Sequence, residues 1–220
     1  MIARTLEPEI MDEPTRAKAY ADADFSSVNQ TFVEEMLSRF PQGAQGRILD
    51  LGCGPADIPL RLLTLAPRAR ISALDASPVM LELARKRLAR TGAQSSVELI
   101  LARVPDLPAG CAGFDGVVSN SLAHHLPDPS VLWSAVKKAL KPGGFVYITD
   151  LIRSETEEKA RETVETYSGQ EHPLLKDDFY HSLLAAFTPE EVKAQLAEAG
   201  LESLDFSLIS DRHWLVAGTL

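Results

Sequence analysis

The chain has 220 residues, 24% of them charged and 45% hydrophobic, with a formal net charge of −9. That length buries about 70% of the unfolded chain's surface in one domain, and the composition is that of an ordinary globular protein. The acidic balance disfavours non-specific binding to nucleic acid or anionic membrane. No apolar run reaches the length of a membrane span, and the charged N-terminus lacks the apolar stretch of a secretory signal.

In chain order, residues 1 to about 19 read as irregular or partly helical. Over 26–39, Val28, Phe32, Val33, Met36 and Leu37 recur at helical spacing. Ser26 or Ser27 would cap that helix, and Pro41 with Gly43 ends it. The first strand is expected from Arg47 to Leu51, followed by a glycine turn and a helix from about Asp57 to Leu65. A second strand, Arg70 to Leu74, leads to Ser77-Pro78, an N-cap and first-turn proline for a helix to about Arg90. Strands from Val97 to Leu101 and from Asp115 to Ser119 come next. A helix from Ser130 to Leu140, a turn at Lys141-Pro142-Gly143-Gly144 and a fifth strand from Phe145 to Asp150 follow. This alternation demands a mostly parallel sheet with right-handed crossovers.

After residue 151 the pattern changes. Residues 154–186 are polar and helical. Thr188, Pro189 and Glu191 form a capping-box helix start, and Gly200 stops that helix after about Ala199. Strands from about Ser203 to Ile209 and Arg212 to Thr219, joined by Ser210-Asp211, suggest an antiparallel hairpin.

The chemistry concentrates at Asp50-Leu51-Gly52-Cys53-Gly54. Gly52 and Gly54 remove Cβ atoms where the chain turns sharply and a ligand approaches the backbone. The next helix aims free N–H groups at that ligand. Asp75, about twenty residues on, is placed to accept hydrogen bonds from a ribose diol. Asp50 discriminates between cofactors. A carboxylate here would repel a dinucleotide's pyrophosphate but suits the cationic amino-acid tail of S-adenosylmethionine (SAM). The third glycine of a dinucleotide fingerprint would fall at position 57, which is Asp. The two cysteines, Cys53 and Cys111, show no metal spacing and suit a reducing cytoplasm.

With these residues in place, the chain resembles the class I SAM-dependent methyltransferases over roughly residues 45–219. It is most similar to the small-molecule branch that includes quinone-biosynthesis enzymes. The matching pieces, in family order, begin with Leu49-Asp50-Leu51-Gly52-Cys53-Gly54, Ala73-Leu74-Asp75-Ala76-Ser77, Met80-Leu81 and Ala84-Arg85. Asp106-Leu107-Pro108, Phe114-Asp115, Ser121-Leu122-Ala123-His124-His125-Leu126 and Leu140-Lys141-Pro142-Gly143-Gly144 follow.

The resemblance implies an α/β, Rossmann-like sheet of seven mostly parallel strands in order 3-2-1-4-5-7-6, strand 7 antiparallel, with helices on both faces. The whole chain, 1–220, would be one domain, with an N-terminal helical lid over about 1–40 and a substrate cap over about 154–187. Asp50, Gly52 and Gly54 would surround the methionine end of SAM, with Tyr20 touching its carboxylate and Asn120 and Ser121 nearby. Asp75 would hold the ribose, and Ala76 and Met80 would line the adenine pocket. The Asp that often holds the adenine amino group is replaced by Arg103, so backbone atoms of Arg103 and Val104, or else Asp106, take that role. Ala56 stands where the family carries its third glycine.

His124 and His125 are candidates for a general base or for orienting the acceptor. The alternative is one packed under the turn and one at the rim. A metal on this adjacent pair is not expected, because no third ligand is evident in the sequence. Tyr167, His172, Tyr180 and His181 are the substrate-contact candidates, against plain surface helices with aromatic packing. The implied reaction is in-line methyl transfer to a small-molecule acceptor, yielding S-adenosylhomocysteine, in a monomer or homodimer with no nucleic-acid or membrane partner. An NAD(P)-dependent oxidoreductase and a non-enzymatic SAM-binding protein on the same fold are the rivals.

Overall fold

The computed structural model describes residues 2–7 and 10–220, the side chain of Pro105 aside. Its frame is a seven-stranded sheet in the order β3-β2-β1-β4-β5-β7-β6. The strands are β1 Arg47–Leu51, β2 Arg70–Asp75, β3 Val97–Leu101, β4 Phe114–Asn120, β5 Leu140–Leu151, β6 Asp205–Leu208 and β7 His213–Thr219. β1 to β5 run parallel, and β7 runs antiparallel to both β5 and β6. The central strands are covered on both faces, so β5 reads as an unbroken apolar run from Phe145 to Ile148 instead of alternating.

Each face has its own core. On one face, α2 (Ser26–Arg39), α3 (Asp57–Leu65) and α4 (Pro78–Thr91) press Phe32, Met36, Leu62 and Leu88 onto Ile48, Ile71 and Tyr147. On the other, α5 (Ser130–Ala139) and α8 (Pro189–Glu198) bring Trp133, Val136, Val192 and Leu196 onto Val117, Val146 and Trp214. Burying these side chains contributes about 1.5–3 kcal/mol for each large residue. Close packing dictates Gly116: an added Cβ would lie 2.2 Å from the Phe145 ring.

α8 carries the expected capping box between Thr188 and Glu191. Ser77 caps α4 as expected, accepting from the Met80 N–H. Other local expectations are corrected. α2 has no side-chain cap, and Phe25 occupies the N-cap position. Lys141 to Gly144 is no free turn. β5 already begins at Leu140, opposite Phe114, and absorbs the glycines in a register shift, with Gly143 at φ +75°. The final hairpin is linked by residues 209–212 rather than by Ser210-Asp211 alone.

Two further helices, α6 (Glu157–Ser168) and α7 (Pro173–Ala185), follow β5. They bury Ala160, Val164, Leu183 and Leu184 against Leu151 in a third, smaller cluster. α1 (Pro14–Asp22) lies in the stretch read as partly helical. The segment before it forms a strap. Ile2 donates its N–H to the Glu155 carbonyl and Thr5 to that of Leu184, while Arg16 pairs with Asp177 and Asp178 of α7. The strap and α7 therefore meet above the C-terminal ends of the parallel strands, where open α/β sheets bind ligands.

Candidate active site

The site is built where β1, β2 and β4 end. Leu74's carbonyl accepts from the N–H groups of Gly52 and Cys53, which draws the turn against β2. Gly52 sits at φ +75° with Leu122 2.9 Å from where a Cβ would be, so only glycine fits. Ala56 and Ser121 adopt φ +62° and +59°, a region that disfavours side chains and collects at functional sites. No side chain caps the N-terminus of α3, which leaves donors facing the turn.

Asp50 is 2% exposed, and its Oδ2 atom has no hydrogen-bond partner among the described residues. Burial, with Asp75 nearby, pushes its carboxyl up to about 8. Asp75 accepts from the N–H groups of Gly54 and Ser77, each at 2.8 Å. It keeps further lone pairs for a ligand, and burial raises its pKa. Asp57 ties three helices together: Asn29 donates to it at 2.8 Å and Arg61 at 2.7 Å, and Arg87 of α4 lies 3.4 Å away. Asn29 in turn meets Asn120, whose side chain accepts from Thr149.

One continuous cavity runs from these residues to α7. Tyr20, Gly52, Gly54, Asp75, Ala76, Met80, Arg103, Val104, Asn120 and Ser121 line its first half. Asp50 opens onto an adjoining recess that shares Tyr20, Gly52, Gly54 and Asn120 with it. Burial first, and Asp75 second, push the Tyr20 hydroxyl up to about 12, so it stays a neutral donor. Asp106 lies in neither lining.

His124, His125, Leu126, Tyr167, Leu175, Asp178, Phe179, Ser182 and His213 line the far half. Tyr167 donates to Asp211 at 2.6 Å and lies under the Arg212 guanidinium. His213 is held neutral, pushed down to about 4 by burial and by Arg212.

Tyr167 lines the cavity, whereas His172, Tyr180 and His181 are not among its lining residues. α7 turns Leu175, Asp178, Phe179 and Ser182 inward, a stripe at i, i+3, i+4 and i+7. His172 is its N-cap, Tyr180 reaches Glu157, and His181 is exposed.

His124 is buried between two acids. Its Nδ1 lies 2.5 Å from Asp150 Oδ1 and its Nε2 lies 3.3 Å from Glu7 Oε1. Burial opposes protonation of the ring, but Asp150 and Glu7 outweigh it and raise the pKa. Burial pushes the Glu7 carboxyl up. Asp150 is held down by His124 against its own burial. His125 Nδ1 lies 3.1 Å from the same Glu7 oxygen. Arg4 clamps this turn, donating to the carbonyls of His124 and Leu126 at 2.9 Å each.

Sequence reasoning missed Arg4, Glu7, Asp150 and Asp178. Asp150 ends a strand at the ligand face, which was a usable signal. The other three carried none, because their partners are far away in the chain.

The sheet order, the glycine turn and the paired carboxylates of Asp50 and Asp75 are those of a class I SAM-dependent methyltransferase. Comparison with known proteins agrees. Residues 48–144 match the family model of a methyltransferase domain. It is 29% identical over 90% of its length to a ubiquinone biosynthesis O-methyltransferase of Xanthomonas axonopodis, covering 82% of that protein. It is 26% identical over 73% of its length to an arsenite methyltransferase of Halobacterium salinarum, covering 38% of that one.

A SAM-dependent methyltransferase from Aquifex aeolicus shares the fold at TM-score 0.68 and 18% identity, over 94% of this chain and 98% of that one. A Haemonchus contortus phosphoethanolamine N-methyltransferase, solved with S-adenosylhomocysteine, aligns at TM-score 0.67 and 20% identity, over 89% of this chain and 43% of that one. The cofactor is SAM, and the site fits it: the unpartnered Asp50 oxygen is what a cationic tail needs. No helix among the described residues is long and apolar enough to cross a membrane.

Proposed function

We propose that this enzyme methylates a hydroxyl group carried on a small apolar molecule. The observation that supports this reading is the far half of the cavity. Leu126, Leu151, Leu175 and Phe179 supply apolar walls, and His124 and His125 stand among them. The sequence relatedness to O-methyltransferases points the same way.

In this reading SAM supplies an activated methyl group, and the chain's residues bind, align and exclude water. Asp50 takes the ammonium, Asp75 the ribose hydroxyls, and Ala76 and Met80 flank the base, with Arg103 and Val104 beside it. Tyr20, Asn120 and Ser121 fix the amino-acid tail. His124 and His125 orient the acceptor's hydroxyl. The strap, α1 and α2 form a lid, and α6 with α7 form the cap. As the acceptor oxygen bonds to the methyl carbon, the carbon–sulfur bond breaks and sulfur keeps the electron pair. The hydroxyl proton leaves to solvent.

The test is a labelled-methyl transfer assay over a panel of small phenols, catechols, amines and thiols, with duplex DNA and tRNA as further acceptors. The expected result is transfer to a hydroxyl compound, with Asp50→Ala abolishing SAM binding in calorimetry. Transfer only to a nucleic acid, only to an amine or thiol, or to nothing in a protein that binds SAM would overturn the acceptor assignment. Unchanged SAM affinity in Asp50→Ala would overturn the placement of the cofactor.

A further inference from the structure

Glu7, His124 and His125 present one ligand atom each within 4.8 Å of one another, with His124 buried and the other two half-buried. Sequence-adjacent histidines seldom share an ion because their side chains diverge. Here a 3-10 turn over Ala123–His125 sets the two rings side by side, with centroids 4.2 Å apart. The third member comes from the strap, far away in the chain.

The lone pairs decide what belongs between these atoms. Asp150 is a carboxylate 2.5 Å from His124 Nδ1, so Nδ1 must donate and a neutral ring then points the bare Nε2 lone pair at Glu7. That lone pair and a carboxylate oxygen stand 3.3 Å apart. The same oxygen lies 3.1 Å from His125 Nδ1. Such an approach is favourable with a cation between the atoms, either a proton or a metal ion. Protonating both rings would set two imidazoliums with centroids 4.2 Å apart, a repulsive arrangement, and a single proton on His124 is the metal-free alternative that the titration below distinguishes. A single dication satisfies all three donors at once.

The spacings agree with that ion. Ligands about 2.0–2.1 Å from a tetrahedral zinc stand about 3.3 Å from each other, close to the 3.1 and 3.3 Å found here. Two histidines and one carboxylate form a familiar donor set for a divalent transition metal. Asp150 behind His124 is the carboxylate that fixes the tautomer and ring orientation of that ligand. The charges also match, since Glu7 and Asp150 offset a dication. Arg4, which could oppose it, spends its donors on the carbonyls of His124, Leu126 and Ala185.

We propose that Glu7, His124 and His125 form a binding site for a zinc-type divalent metal ion, its open position facing the acceptor half of the cavity. Both histidines line that cavity, so an oxygen of the acceptor would complete the coordination. The ion's role in methyl transfer rests on the reading above, whereas its binding does not. In that role, the ion draws electron density from the coordinated hydroxyl, whose proton leaves to water as oxygen bonds to the methyl carbon.

The experiment is a titration of the full, chelator-treated chain with Co(II), followed by visible absorption and by metal content after gel filtration. Calorimetry with SAM runs on the same metal-free sample. The expected result is one equivalent of Co(II) with the intense absorption of a four-coordinate site. Glu7→Gln and His125→Ala should each weaken binding at least about tenfold, and Asp150→Asn about 10- to 100-fold. His181→Ala, on the exposed face of α7, should match the wild type. No stoichiometric Co(II), or equal binding in wild type, Glu7→Gln and His125→Ala, would overturn the site. SAM binding by the metal-free protein in that case would leave the methyltransferase reading standing. Far-ultraviolet circular dichroism checks each variant's fold, and Glu7→Gln lies outside every helix and strand, so the sheet does not depend on it.

Discussion

A carboxyl group taken out of water with one oxygen unpartnered is costly to ionise, and Asp50 is in that state before the cofactor arrives. In the cofactor placement proposed above, its folded pKa of about 8, against an ordinary 3.8, makes SAM binding proton-linked. The cationic tail requires the carboxylate, so below pH 8 binding must expel a proton. SAM affinity is therefore expected to rise with pH, by up to about tenfold per unit, and to level off near pH 8. Calorimetry from pH 6 to 9 measures this slope, and Asp50→Asn should flatten it while weakening binding throughout. The stability linkage has the opposite sign. Between 3.8 and about 8 the folded chain holds a proton that the unfolded chain has lost. Asp50's contribution to the stability of the ligand-free protein therefore falls as pH rises through that window. Asp50, Gly52, Gly54 and Asp75 were legible in the sequence because strand, turn and second acid lie within one local unit. Glu7 and Arg4 were not, because a carboxylate or guanidinium in an irregular N-terminal segment has no period and no motif. Only their tertiary partners give them meaning.

Among the elements, β4 shows how the sheet fixes residue size. Gly116 pairs with Ile48 on one side and Phe145 on the other, and its absent side chain is the space that the Phe145 ring occupies. Phe145 also stacks on Phe40 at 4.6 Å between centroids, so the ring has little room to retreat. Gly116→Ala is expected to destabilise the protein by at least about 2 kcal/mol, read as a lower denaturation midpoint in urea at unchanged m-value. A loss under 0.5 kcal/mol, which surface substitutions typically stay within, would show that the ring moves freely. Element type and order followed from hydrophobic period and turn residues, as β1, α3, β2 and α4 illustrate. The start of β5 did not, because Pro142-Gly143-Gly144 is turn chemistry that the neighbouring strands draw into a bulge. The facing of α7 was equally hidden. Its polar and apolar residues are mixed around the helix, so the sequence could not say that Phe179 turns inward and Tyr180 outward.

For the whole molecule, the sheet and the roof over it differ in how they are held. The sheet rests on two large cores, whereas the described residues of the strap are held by Arg4, Glu7, the Ser77 hydroxyl at Met11 and Asp12, the packing of Ile2 and backbone hydrogen bonds. Elements with few buried apolar contacts open at lower free energy. Hydrogen exchange should show residues 2–7, 10–12 and α1 exchanging well before β1, β4 and β5, and slowing when S-adenosylhomocysteine is added. Equal protection of strap and sheet without ligand would contradict this. The strap also has a consequence for synthesis. Its residues are synthesised well before their partners at Glu155 and Leu184. A nascent chain can thread β1, β2 and β4 in order while the strap waits undocked. A chain stalled before residue 184 would carry a formed glycine turn and an unroofed pocket, so the enclosed site exists only once α7 has been made.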